Sequence, residues 1–433
     1  MTGLLQLHRA LSATSPAWLA KLRREAYDRF TELGYPTTHN EDWKYTNVNP
    51  IARTEFEPGV ATTAEPGWFP LANLGCSARL VFVNGHFAPH LSSANNLPQG
   101  VRVHGLAELV QAGSETVESH LARYAGFDKQ AFVALNTALF DDGAVVEIGR
   151  DAAPEQPVHL VFISMPGGTP TVSHPRNLIL AGRGSRAAVI ESHVGIPSAT
   201  YFTNSVTEIV AGEGAVLDHY RLQQDSVRAY HVATVQAIQE RGSVLNSHNV
   251  VLGGALTRND VNSLLEAEGA ECSLNGLFIV NGRRHVDNHT LLDHAKPHCL
   301  SRELYKGILD GHGVGIFNGK IVVRKDAQKT NAIQSNRNLM LSGEAVIDTK
   351  PQLEIFADDV RCTHGATVGQ VDKDALFYLQ SRGIAVPEAR EMLTQAFATE
   401  VLDQMRWQPA REVLADRVGR LLAGNGNGGG GGK

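Results

Sequence analysis

Cys362 and His364 stand one residue apart in ADDVRCTHGATVG, so on an extended strand both side chains leave from the same face. A thiolate beside an imidazole is a pair of donors suited to zinc, copper or an iron–sulfur cluster. Two donors do not close a structural site. The pair reads either as a half-site completed by another chain or as a buried free thiol beside a surface histidine. A second run, HVDNHTLLDHAKPHC, gathers His285, His289, His294, His298 and Cys299. Asp287, Asn288 and Pro297 in the same run favour turns and hydrogen-bonded corners over a metal centre. Asp293 and His294 could pair with each other without catalytic meaning.

Two further stretches imitate chemistry. GHGVGIFNGK (Gly311–Lys320) resembles a phosphate loop, but Gly315 to Gly319 leaves three residues where four are required, and Ile321 follows the lysine. Asn318 also breaks a G-x-G-x-x-G reading, so nucleotide binding is rejected here. Asp358-Asp359 is the best carboxylate pair for a carbohydrate-active β-helix enzyme, yet neighbours on a strand point to opposite faces. A stand-alone metal-binding protein using the histidine run is the other rival, and metal content of the purified chain separates it from a scaffold.

The elements that would carry these residues follow from glycine. Gly184, Gly214, Gly242, Gly269, Gly313 and Gly343 each open a run rich in Val, Ile, Leu and Phe, at intervals of 30, 28, 27, 44 and 30. Such a period marks units that must stack to bury their apolar faces. Without intervening helical pattern, it predicts a parallel β-helix with short strands at each corner, and the interval of 44 predicts an inserted loop. A β-sandwich of evenly spaced hairpins is the competing arrangement.

Helical periodicity flanks this region. Ser15-Pro16 would start a helix carrying Trp18, Leu19, Leu22, Ala26, Phe30 and Leu33, closed by Gly34. Leu80–Val83 followed by Asn84-Gly85 reads as a strand and turn, and Thr63 to Pro70 as a turn-rich stretch. After Val371, Asp374–Ser381 is helical. Pro387 then opens a helix with a stripe of Ala389, Met392, Leu393, Ala396, Phe397 and Val401. A third segment aligns Val413, Leu414, Val418, Leu421 and Leu422. These stripes are expected to need a partner surface. The resulting division is 1–154 mixed and helical, 155–372 solenoid, 373–423 helical, and 424–433 a disordered glycine-rich tail.

Bulk properties agree with an ordinary globular chain. There are 39 basic and 45 acidic residues among 433, a net charge of -6, which offers no field for nucleic acid. No run reaches the roughly 20 apolar residues of a membrane helix, and no signal peptide is visible, so the expected location is the cytoplasm. Cys76, Cys272, Cys299 and Cys362 contain no C-x-x-C pair and read as free thiols.

Five stretches resemble the SufB/SufD family of iron–sulfur cluster assembly scaffolds. They are EDWKYTNV (Glu41–Val48), HVDNHTLLDHAKPHCLSRELYKGIL (His285–Leu309), GIFNGKIVVRKDAQKTNAIQSNRNLMLS (Gly315–Ser342), KPQLEIFADDVRCTHGATVG (Lys350–Gly369) and ALFYLQSRGI (Ala375–Ile384). The resemblance implies a right-handed parallel β-helix between helical regions. It also implies a complex with a SufB-type scaffold and two copies of a SufC-type ABC ATPase, which builds clusters and passes them to apo-proteins. A transient cluster would form at the interface with the SufB-type partner. There, His364 matches the family's ligand histidine and Cys362 lies in the same motif. The ATPase would dock within Asp374–Leu422. Gly365 stands where SufB-type chains have glutamate, and SNRN replaces their cluster-building cysteine. That places the chain on the SufD side, as a scaffold and not an enzyme. A flavin in the complex and homodimerisation of the free chain are compatible with the resemblance but not legible in the residues.

Overall fold

The computed structural model describes residues 2–62, 74–94 and 97–426. The chain winds as a parallel solenoid of about eight turns, each turn laying one strand in each of two sheets. One sheet contains Arg186–Gly195, Val216–Gln224, Val244–Val251, Glu271–Val280, Leu300–Leu309, Asn331–Met340 and Arg361–Gly369. The other contains Tyr201–Ala211, Tyr230–Gln239, Leu256–Leu265, His285–His294, Val314–Val323 and Val346–Ile355. The short corner strands expected from the sequence are instead two long strands per turn, most of them 10 residues. The solenoid is therefore flattened, with its lumen filled from both walls.

The glycine period is a corner, but the inserted loop is not there. Glu271 lies opposite Leu300 and His285 opposite Val314, so both walls step by 29 through this region. The explanation is a ladder of left-handed residues: Asp151, Gly184, Gly214, Gly242, Gly269, His298 and Lys329. Each donates its N–H to the carbonyl just before the next member's position, from Asp151 N to Arg183 O through Lys329 N to Asp359 O, at 2.7–3.2 Å. After Gly269 the corner passes to His298 and Lys329, whereas Gly313 belongs to the opposite edge. An L-residue in this conformation costs about 1–2 kcal/mol. His298 is exposed, and its contact with Glu268, at 4.0 Å, is worth little in water. His298→Gly should therefore raise the urea-unfolding free energy by about 0.5–1 kcal/mol, the strain relieved less the extra freedom glycine gains on unfolding. An unchanged midpoint would mean that the corner is unstrained.

Helices cover the outer faces. Ala17–Leu33 packs with Ala131–Leu139 against Phe202, Val232 and Leu256 of one sheet. Gly34, at φ 65°, ends the first of these. Ser15 does not cap it. Its hydroxyl donates to Leu11 O at 2.7 Å, closing the preceding helix Thr2–Thr14. Ala78–Val83 and His86–Phe87 form the expected hairpin through Asn84-Gly85, and the first of them pairs in parallel with Val158–Ser164.

On the other sheet lie Val386–Leu402 and Gln408–Gly426. Ala398, Val401, Leu402, Leu414, Val418 and Leu422 bury against Tyr220, Leu222, Leu277, Ile279 and Ile308. The stripes said to need a foreign partner are thus covered by the solenoid itself, while Met392 is left exposed. Thr63–Pro70 and 427–433 lie outside the described residues, and 424–426 continue the last helix. Among the described residues no helix is long and apolar enough to cross a membrane.

Candidate functional site

The in–out alternation of the strands decides where Cys362 and His364 point. In the sheet beneath the C-terminal helices, register aligns Cys272, Ser301, Ala332 and Cys362 in one row. Leu274, Glu303, Gln334 and His364 form a parallel row. Cys272, Ser301, Ala332, Leu274, Glu303 and Gln334 are all buried in the lumen. Cys362 and His364 continue those rows into the last strand, Arg361–Gly369, and so share one face as the sequence spacing required. They differ from their predecessors only because no further turn covers them. Cys362 remains half-buried and His364 is exposed.

This end of the solenoid is open. Val346–Ile355 and Arg361–Gly369 each pair with a single strand, so their outer backbone groups face away from the chain. Phe356 is 63% exposed with Ile355 exposed next to it, and Val346 and Val368, at the other ends of the two last strands, are exposed as well. An edge of unpaired strands with apolar side chains is a template for another chain. Burial raises the Cys362 thiol above its ordinary range, so a soft metal would have to displace a proton there. Among the described residues no group of three or more His, Cys, Asp or Glu could hold a metal ion. The pair supplies one imidazole and one thiol.

Directly behind His364 lies a pair that the sequence reading missed. Gln334 Nε2 donates to Glu303 Oε2 at 2.6 Å, and both residues are almost fully buried. Burial pushes the Glu303 carboxyl up to about 7, against the pull of the hydrogen bond from Gln334. From the opposite wall, Gly319 makes room for this pair: a Cβ there would lie 2.2 Å from Gln334 Nε2. Writing the sequence in rungs would have found them, since Glu303, Gln334 and His364 follow at one turn each.

The other candidates have structural partners. His285 Nε2 lies 2.9 Å from Thr46 Oγ1, His289 Nε2 3.1 Å from Asp287 Oδ1, and His294 Nε2 2.9 Å from Ser301 Oγ. His298 is a corner residue, and the Cys299 thiol donates to Ala267 O at 3.3 Å. Asp293 pairs with Arg324 through both oxygens, not with His294. Asp358-Asp359 sits in a corner bend, not on a strand, and Asp359 is ion-paired with Lys329. Gly311–Lys320 spans a corner and the strand Val314–Val323.

The EDWKYTNV block also acquires a role. Buried Arg258 stacks its guanidinium 4.4 Å from the Trp43 ring centre and donates to Asp42 O and to Asp287 Oδ2 at 2.8 and 2.7 Å. Thr46 donates to the same carboxylate. Arg258 therefore staples the N-terminal region to the solenoid wall.

Residues 162–397 match the model described as "SUF system FeS cluster assembly, SufBD core domain", and residues 4–160 match "SufBD protein N-terminal region". An iron–sulfur cluster assembly SufBD family protein of Synechocystis is 34% identical, covering 95% of this chain and 91% of its own. The iron–sulfur cluster assembly protein SufD of Escherichia coli is 32% identical over 90% of each chain. The chloroplastic protein ABCI7 of Arabidopsis thaliana is 28% identical over 95% of this chain and 88% of its own. The chain belongs to the SufBD family of iron–sulfur cluster assembly proteins.

Proposed function

We propose that this chain is the SufD-type scaffold of a cluster-assembly complex, pairing through the open end of its solenoid with a SufB-type partner. The observation that carries the reading is the uncapped last turn, where two open strand edges, exposed apolar side chains and the Cys362–His364 pair coincide. Pairing there would cover the strand edges and bring the missing donors. A nascent cluster, as cargo, would then be held only by the assembled pair. In this reading residues 155–372 form the solenoid scaffold and 373–423 the helical region that receives a SufC-type ATPase.

The test is co-expression with SufB-type and SufC-type partners and purification through this chain. Ile355→Lys with Phe356→Asp places charges on the exposed rim and should abolish recovery of the SufB-type chain. Recovery at the level of the unaltered protein would exclude this end as the interface.

The ATPase contact falls to Lys373–Ser381, since the two later helices spend their apolar faces on the solenoid. Phe377 is 72% and Tyr378 56% exposed there, and a pair of exposed aromatics fits the anchors of an interface. Phe377→Ala with Tyr378→Ala should remove the ATPase from the purified complex, by at least about 2 kcal/mol in affinity, and leave the SufB-type chain bound. Retained ATPase would place that contact elsewhere.

A further inference from the structure

We propose that Gln334, clamped by Glu303, is a positioning residue for His364: its free carboxamide oxygen accepts the ring N–H of His364 and turns the other ring nitrogen toward the open end. This rests on His364 being a cluster ligand at that end.

Three independent observations point to it. Gln334 is 1% exposed, and its Nε2 is committed to Glu303, yet its Oε1 has no partner among the described residues. A buried carbonyl oxygen is rarely left without a donor. The only position that register places on its unburied side is His364. Neighbouring parallel strands are about 4.8 Å apart and both side chains leave toward the lumen, so a turn of the exposed His364 ring closes the hydrogen bond, which the structure does not itself contain. Gly319 on the facing wall completes the arrangement, because any side chain there would displace the Gln334 amide. His364 itself makes no side-chain hydrogen bond among the described residues, so its ring has a donor to spend. An imidazole that ligates metal through one nitrogen ordinarily donates from the other to a fixed acceptor, which sets its tautomer and orientation.

The test has two readouts. The first needs no cluster: the full-length chain is labelled with nitrogen-15 histidine, and the His364 ring signals are assigned by their loss in His364→Ala. Unaltered protein should show one tautomer for this ring. Gln334→Met, which keeps the volume and removes the acceptor, should show a mixture. Glu303→Met, which frees the amide, should do likewise, whereas Glu303→Gln retains an acceptor for Nε2 and should restore the single tautomer. If Gln334→Met does not fold, the contrast between Glu303→Met and Glu303→Gln decides. The second readout is cluster load in the co-purified complex, expected to fall by about 10-fold or more in Gln334→Met and Glu303→Met but not in Glu303→Gln. An unchanged tautomer with unchanged load in Gln334→Met, beside a His364→Ala complex that fails to load, would overturn the positioning role and leave the ligand reading intact. Normal loading of His364→Ala would instead remove the ligand reading itself.

Discussion

Replacing His364 by alanine is expected to leave the complex assembled and its cluster missing. The side chain is exposed on the last turn and is tied by no hydrogen bond among the described residues. Its removal should therefore change folding stability by no more than about 0.5 kcal/mol. The strand edges and the Ile355–Phe356 rim that would bind the SufB-type partner are untouched. What disappears is an imidazole lone pair at a place where the chain offers only one other donor. Loss of a direct ligand should exceed the 10–100-fold penalties typical of the residues behind it. Cluster absorbance and iron per complex should thus fall by more than about 10-fold. Cys362→Ser should do less, because burial already disfavours the thiolate that would bind. A His364→Ala complex with normal iron content and normal transfer would make the histidine a bystander.

How much of this could be read from the residues depends on which interaction hides which signal. Glycine marks corners only where no other residue tolerates the left-handed conformation. His298 and Lys329 do tolerate it, and their substitution into the ladder turned a uniform step into an apparent gap. Glycine-opened runs rich in Val, Ile, Leu and Phe found the strands but could not tell inside from outside. In Val216–Gln224 the lumen receives His219, Arg221 and Gln223, while Tyr220 and Leu222 point outward to the helices. That inversion explains the misreading of the C-terminal stripes: the surface they need is the solenoid's own outer face. The shared face of Cys362 and His364 was legible because it depends on adjacent residues alone. Gln334 and Glu303 were not, because only the register of three separate turns places them behind the histidine. The Arg258 staple is likewise invisible without the fold, since Trp43 and Arg258 are far apart in sequence.

The polar lumen and the buried histidines around it should make the protein acid-labile. Burial holds His159, His174 and His248 down to about 3 and His231 and His294 to about 4. In the unfolded chain each would titrate near 6.5. From 6.5 downward the unfolded state therefore takes up protons that the native state refuses. Their contribution to stability is complete above about pH 6.5 and is lost as pH falls toward 4. Glu303 acts in the opposite sense: raised to about 7, it keeps a proton in the native state that the unfolded chain releases above about 4.5. Five protons against one leave a net uptake of about four near pH 5.5. At about 1.4 kcal/mol per proton per pH unit, stability should fall by roughly 5 kcal/mol for each unit below 6. Against a total of roughly 5–15 kcal/mol, cooperative unfolding should occur within two to three units below pH 6.5. Urea titrations at pH 7.5, 6.5 and 5.5 measure the slope directly. His159→Gln, which keeps a hydrogen-bonding group opposite Ser192, should lessen it by about 1.4 kcal/mol per unit. A free energy flat between pH 7 and 5 would mean that these imidazoles accept protons within the folded solenoid.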